Sequence, residues 1–218
     1  MLKFVRFLAV YFCFVVSLAY ADTIAVPSSE ARLWASDKGQ ELLTALSEPN
    51  TIEKYAKLDQ MMTEDVNLDY VSKFVIGKYA RLMNQEQKQR YTSLFHRYVL
   101  SLYKGTSFNF EPHNINFSID NVTEHNKFTT VTCLVDPGQL SEDIKIERIP
   151  VKFKLIRGDQ NRIQAVDVEI SDVSMVIEYR KRFYQMILRE DENIEWFLDT
   201  FEDKVKANEA AISSVSTI

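Results

Sequence analysis

Cysteine is nearly absent from this chain of 218 residues, which has only Cys13 and Cys133. An internal disulfide framework is excluded once Cys13 is assigned, as below, to a segment that is removed, so a hydrophobic core must hold the fold. Glycine and proline are also scarce, at five each. That poverty argues against a loop that wraps phosphate groups closely, and no P-loop, G-x-G-x-x-G or G-x-S-x-G pattern is present. The three histidines, His96, His113 and His125, show no metal-ligand spacing, and one remaining cysteine cannot complete a zinc site. Structural or surface roles are the default for all three. Basic residues are outnumbered, 26 to 31, for a net charge of −5. An acidic chain without a basic block is a poor ligand for nucleic acid, and net charge argues equally against binding an anionic bilayer by charge alone.

The longest apolar run lies at the amino terminus. Lys3 and Arg6 precede Phe7 to Leu18, and Ala19-Tyr20-Ala21 forms a small-x-small site. This is the pattern of a cleaved secretory signal, residues 1–21, leaving Asp22 first. The run is short for a membrane span, so an uncleaved signal anchor is the lesser alternative. Two cations and no carboxylate leave with the segment, taking the net charge from −5 to −7. Cys133, in the alternation Val131, Cys133, Val135, reads as a small buried hydrophobe and not as a catalytic thiol.

Residues 22–218 suit one domain, with frayed ends at 22–30 and beyond about Ala210. The first half is helical in period. Helices are expected over 30–47, 51–63, 68–81 and 84–104. The last is the clearest, with Tyr91, Phe95, Tyr98 and Leu102 on one face, an Asn84/Gln87 capping box and a stop at Gly105. The period then falls to two over 108–119, 127–135, Ile149 to Leu155 and Val166 to Ile170. Pro137-Gly138 marks a turn and Gly158 to Asn161 a hairpin connection. Two more helices close the chain, one capped by Ser171 or Asp172 and running to about Arg189, the other from about Asp191 to Ala207. The expected fold is α+β: a four-stranded antiparallel sheet with one face covered by amphipathic helices, enclosing an apolar cavity.

Aromatic residues make up 12% of the chain. Composition alone favours a large solid core; the alternative is a cavity that houses an apolar ligand. Carboxylates such as Glu190, Asp191, Glu192, Asp199, Glu202 and Asp203 read as solvated helix faces, and no acid/base pair is evident.

Two segments carry a family resemblance. Residues 70–104 contain Val75-Ile76-Gly77-Lys78-Tyr79, a polar break at Gln85 to Gln87, and a helix with Phe95 to Tyr103. Residues 166–183 contain Asp167-Val168, Ser174, Val176, Tyr179-Arg180 and Phe183. Together they resemble the MlaC (toluene-tolerance) family of periplasmic phospholipid-binding proteins. Ala80, Ile163 and Asp172 depart from that pattern, where an aromatic, a Trp and a Gly are usual. The resemblance implies a periplasmic carrier, not an enzyme, that binds diacyl phospholipid with its tails buried and its headgroup exposed. It implies exchange with an outer-membrane lipoprotein–porin complex and an inner-membrane ABC transporter bearing an MCE-domain ring, so maintaining outer-membrane lipid asymmetry. No cofactor or metal, and a monomer, are expected. Candidate lipid contacts are the inward sheet positions Phe117, Val131, Val151, Phe153 and Val168, with the helix positions Phe74, Val75, Tyr79, Tyr98, Leu102, Val176 and Ile177; ordinary core packing is the competing role for each. Tyr179 and Arg180 would support a pocket mouth or a structural hydrogen bond. Two alternatives stay open: a small enzyme on a similar cone-shaped α+β fold, built on an Asp–His or Tyr–Asp pair, and a structural envelope protein with a solid core.

Overall fold

Period-three-and-four patterning and period-two patterning segregate in space as they do along the chain. A computed structural model describes residues 25–104, 115–137, 139–141, 144–145 and 147–215. The signal segment, Gly105, residues 108–114 and Gly138 lie outside the described residues. The helices are α1 (Ser28–Leu46), α2 (Thr51–Asp65), α3 (Leu68–Ile76), α4 (Gln85–Lys104), α5 (Met175–Arg189) and α6 (Ile194–Val215), with a 3-10 turn over Gly77–Leu82. The strands are β1 (Asn116–His125), β2 (Phe128–Asp136), β3 (Gln139–Ser141), β4 (Ile144–Lys145), β5 (Ile149–Arg157), β6 (Ile163–Ile170) and β7 (Val173–Ser174). The main sheet has the order β1-β2-β5-β6-β7 and is antiparallel throughout, while β3 and β4 form a separate small hairpin. No helix among the described residues is long and apolar enough to cross a membrane.

The α+β class holds, but the sheet has five strands and not four. The reason is local. Ser171 and Asp172 both take positive φ, 48° and 65°. Two successive left-handed residues make the tight turn that suits a twisted hairpin, so the chain pairs once more with β6 before turning helical. The cap of α5 is therefore Ser174, whose Oγ accepts the Ile177 N–H at 3.3 Å, and neither Ser171 nor Asp172. Positive φ also explains why Asp serves at 172 where a Gly is usual, since Asp visits that region more readily than most side chains.

The helical half packs on itself. Tyr91, Leu94, Phe95 and Tyr98 of α4 meet Phe197, Leu198, Phe201 and Val205 of α6, with Phe183 and Ile187 of α5 between them. The expected capping box forms: the Gln87 N–H donates to Asn84 Oδ1 (2.8 Å) and the Asn84 N–H to Gln87 Oε1 (3.0 Å). Arg90 bridges α4 to Glu195, Asp199 and Glu202 of α6, and the Glu202 carboxyl is held down to about 2 by Lys206 and by Arg90. The 68–81 helix breaks at Gly77, where φ is 49° and the chain tightens into the 3-10 turn. At the ends of the chain, Val26 is fully buried with its carbonyl bonded by Thr129 Oγ1, and α6 continues through Ala210 to Val215.

The sheet has its own core. Val26, Ala31 and Ala35 press on Val131, Cys133, Leu155 and Ala165, so α1 is the cover of one sheet face. Small alanines let the helix lie close to the strands. Burial pushes the Cys133 thiol up to about 11. At pH 8 only about one molecule in a thousand then carries the thiolate. We expect Cys133 to resist a disulfide reagent such as dithionitrobenzoate in the native protein and to react fully in urea.

Candidate functional site

Strand register places the apolar side chains of one sheet face in three rows. Phe117, Val135 and Ile149 form the first. Ile119, Cys133, Val151 and Ile170 form the second. Val122, Val131, Phe153 and Val168 form the third. Period two accounts for them except at two bulges. In β1 the register shifts between Ile119 and Asn121, so that Val122 and not Asn121 shares the face of Ile119. In β6 a bulge opposite Lys154/Leu155 leaves Val166 unpaired, so that Ala165 and not Val166 pairs with Leu155.

Helix α1 does not cover this face evenly. Val131 and Leu155 are 0% exposed beneath it, and Trp34 meets Phe153 edge-on with ring centroids 6.4 Å apart. The tip of the Phe117 ring abuts Gly39, where an added Cβ would come within 2.6 Å of Phe117 Cε2. Val135, Ile149, Val151 and Val168 fall outside that cluster and stay half-buried, and Ile170 is 42% exposed. The result is an apolar wall sealed at the Leu155 end and uncovered, by the described residues, toward Ile149 and Ile170. Such a wall offers dispersion contact and no hydrogen bonds, which suits hydrocarbon.

The twelve residues singled out from the sequence divide between the two cores. Phe117, Val131, Val151, Phe153 and Val168 share the sheet face, with Val131 sealed by α1. Val75, Tyr79 and Tyr98 are sealed in the helical core, and Leu102 and Val176 pack against it. Phe74 lies under the Arg180 guanidinium, 4.8 Å from its ring centroid, and Ile177 is 47% exposed. The structure thus does not bring the helix set onto the sheet wall. Val135, Ile149 and Ile170 belong to the wall and were visible in the strand alternation; nothing in that alternation says which end of a strand a helix leaves open.

The motif residues have a separate, mechanical job. Tyr184 Oη accepts the Lys78 N–H (3.2 Å) and two N–H groups of Arg180 (3.2 and 3.1 Å). Burial opposes ionisation of this phenol, but those donors and the charges of Arg180 and Lys78 outweigh it and lower its pKa. Tyr79 stacks edge-on against Tyr184 at 4.9 Å and donates to Glu192 at 3.0 Å. Gly77, Tyr79, Arg180 and Tyr184 together lock the 3-10 turn onto α5. Of the two expected uses of Arg180, this geometry supplies the structural hydrogen bond.

On the opposite sheet face, a cleft of about 360 Å³ is lined by His125, Phe128, Thr130, Lys152, Lys154, Asp167 and Glu169. Asp167 is the buried acid there. It accepts Ser174 Oγ–H (2.7 Å) and the Val176 N–H (3.3 Å), which ties β6 to the start of α5. Lys152 pairs with Glu169 (2.5 Å) and Asp172 (2.8 Å) and so braces the β6–β7 turn. His96 lies on α4 with its Nε2 3.1 Å from Asp69 of α3. Among the described residues no cluster of His, Cys, Asp and Glu is placed to hold a metal.

The family model described as MlaC protein matches residues 37–203. The chain belongs to the MlaC family. The match takes in α1 from its middle, the whole sheet, α5 and the first half of α6, so it includes both the apolar wall and the Gly77–Tyr184 lock. No curated protein is significantly similar to this MlaC-family chain in sequence. In three dimensions it is similar to a phospholipid-binding protein from Ralstonia solanacearum solved in complex with a phospholipid. The TM-score is 0.63 and the identity 15%, over 81% of this chain and 98% of that one. At that identity the likeness is one of fold.

Proposed function

We propose that this MlaC-family protein is a phospholipid carrier of the bacterial periplasm. The segment 1–21 directs its export and is removed, and acyl chains lie along the uncovered part of the sheet wall. The observation that carries the reading is that wall: half-buried aliphatic side chains in register across β2, β5 and β6, left open by α1 in a chain of this family. The solved relative of the same fold, which holds a phospholipid, supports it.

The physics fits the task. A diacyl phospholipid carries about 30 methylenes, each costing roughly 0.8 kcal/mol in water. Free lipid therefore leaves a bilayer too rarely to cross an aqueous space. An apolar wall offsets that cost much as a bilayer does, so transfer lies near balance and is reversible. Direction then comes from the partners, an outer-membrane lipoprotein–porin complex and an inner-membrane MCE-domain ABC transporter, and the process maintains outer-membrane lipid asymmetry. The carrier itself needs no catalytic group.

Organic extraction of the purified protein followed by mass spectrometry is expected to recover diacyl phospholipid at about one per chain. A lipid-free preparation that also takes no lipid from vesicles would overturn the proposal. Val151→Asp combined with Val168→Asp puts two carboxylates on the wall. Desolvating them costs several kcal/mol, so extracted lipid is expected to fall at least tenfold. An unchanged circular dichroism spectrum would show that the loss is not unfolding.

A further inference from the structure

Net charge averages over faces, and one face of this acidic chain is basic. On α3, Tyr70, Lys73 and Phe74 occupy successive turns leading to Gly77 and Lys78. On α5, Ile177, Arg180 and Lys181 lie at helical spacing on one side. The two rows meet where Arg180 stacks on Phe74 (4.8 Å) and where Arg180 and the Lys78 N–H both bond Tyr184. Lys78 Nζ sits 5.8 Å from the Tyr184 ring centroid, beside the same junction. Lys73 and Lys78 are exposed, and neither they nor Arg180 make an ion pair among the described residues. The nearby carboxylates are engaged elsewhere: Glu178 with Lys181, Asp69 with His96 and Glu192 with Tyr79. Apolar tips stand on the same two helices, with Tyr70 39% and Ile177 47% exposed.

We infer that the α3–α5 face docks the protein on the surface of a bilayer containing anionic lipid. Uncompensated cations on long side chains, interspersed with single aromatic and aliphatic tips, match a headgroup layer, which takes up scattered charge and shallow apolar insertion. An acidic protein partner would also answer the charge, but two apolar tips set singly, one on each helix, provide no pocket for a specific anchor. This surface is distinct from the sheet wall, so docking and lipid carriage are separable.

The test is sedimentation of the full protein with vesicles of phosphatidylcholine alone and of phosphatidylcholine mixed with phosphatidylglycerol. Binding is expected on the mixed vesicles and to weaken as salt rises. Each cation near an anionic surface raises partitioning about fivefold, so Lys73→Gln with Lys78→Gln should lower it about 25-fold. The same double variant should still yield phospholipid on organic extraction, which separates failure of docking from failure of carriage. Equal binding to both vesicle types, undiminished binding by the double variant, or retention only on an acidic polypeptide would each overturn the inference.

Discussion

Phe183→Ala is expected to destabilise the protein by about 4 kcal/mol, read as a lower urea midpoint at unchanged slope. Phe183 is 1% exposed at the centre of the helical core. Its ring meets Phe201 at 4.9 Å, Phe95 at 5.7 Å, Tyr98 at 5.9 Å, Tyr91 at 6.1 Å and Phe197 at 6.2 Å. Those partners come from α4 and α6, so the ring joins three helices. Truncation removes its transfer energy, its edge-to-face contacts and the filling of a site whose walls are themselves rigid aromatics and collapse poorly. For a chain of this size the thermal midpoint should fall by about 12 °C. Leu188→Ala serves as the contrast. It lies on the same helix but is 56% exposed, and should cost under about 0.5 kcal/mol. Because Phe183 is remote from the sheet wall, lipid recovered per folded molecule should not change.

Gly77→Ala should cost about 3 kcal/mol by the same measurement. Two penalties combine. The backbone sits at φ 49°, a region where a Cβ is strained. The added Cβ would also collide with Tyr184 Oη and lie 2.5 Å from Arg180 Nη2, groups that the lock itself holds in place. Tyr184→Phe removes one of the colliding atoms and also the acceptor for Lys78 and Arg180. The double variant should therefore be less destabilised than the sum of the two single ones, a coupling readable in a double-mutant cycle. Simple additivity would mean that the Tyr184 hydroxyl has no part in making this position a glycine, leaving the φ strain and Arg180.

Helices were the most legible part of this chain. The 84–104 pattern, with Asn84 and Gln87 as its box, needed only the helical period and local hydrogen bonds, and it stands as α4. Strand periodicity was equally local and correctly placed one apolar face on β2, on β5 and on β1 as far as Ile119, where a bulge turns Val122 onto that face. It failed at β6, where alternation put Val166 with Val168 and Ile170, because a bulge is set by the neighbouring strand. It also missed β7, since Ser171-Asp172 reads as a helix cap until the left-handed turn is seen. The family was legible in the motif spacing around Gly77 and Tyr179-Arg180. Their job as a lock was not, because Tyr184, the acceptor at its centre, is 106 residues from Lys78.

Local patterning, then, settled class, element order and which side chains are apolar, because those depend on periods of two and of three to four along the chain. Partition among cores was a tertiary decision. Val75, Tyr79 and Tyr98 look no different in sequence from Val151 and Val168, yet the first three are sealed between helices while the last two stand on a half-covered sheet. The difference lies in where α1 stops covering the strands, and coverage is a property of how rigid elements stack, not of any residue's own hydrophobicity.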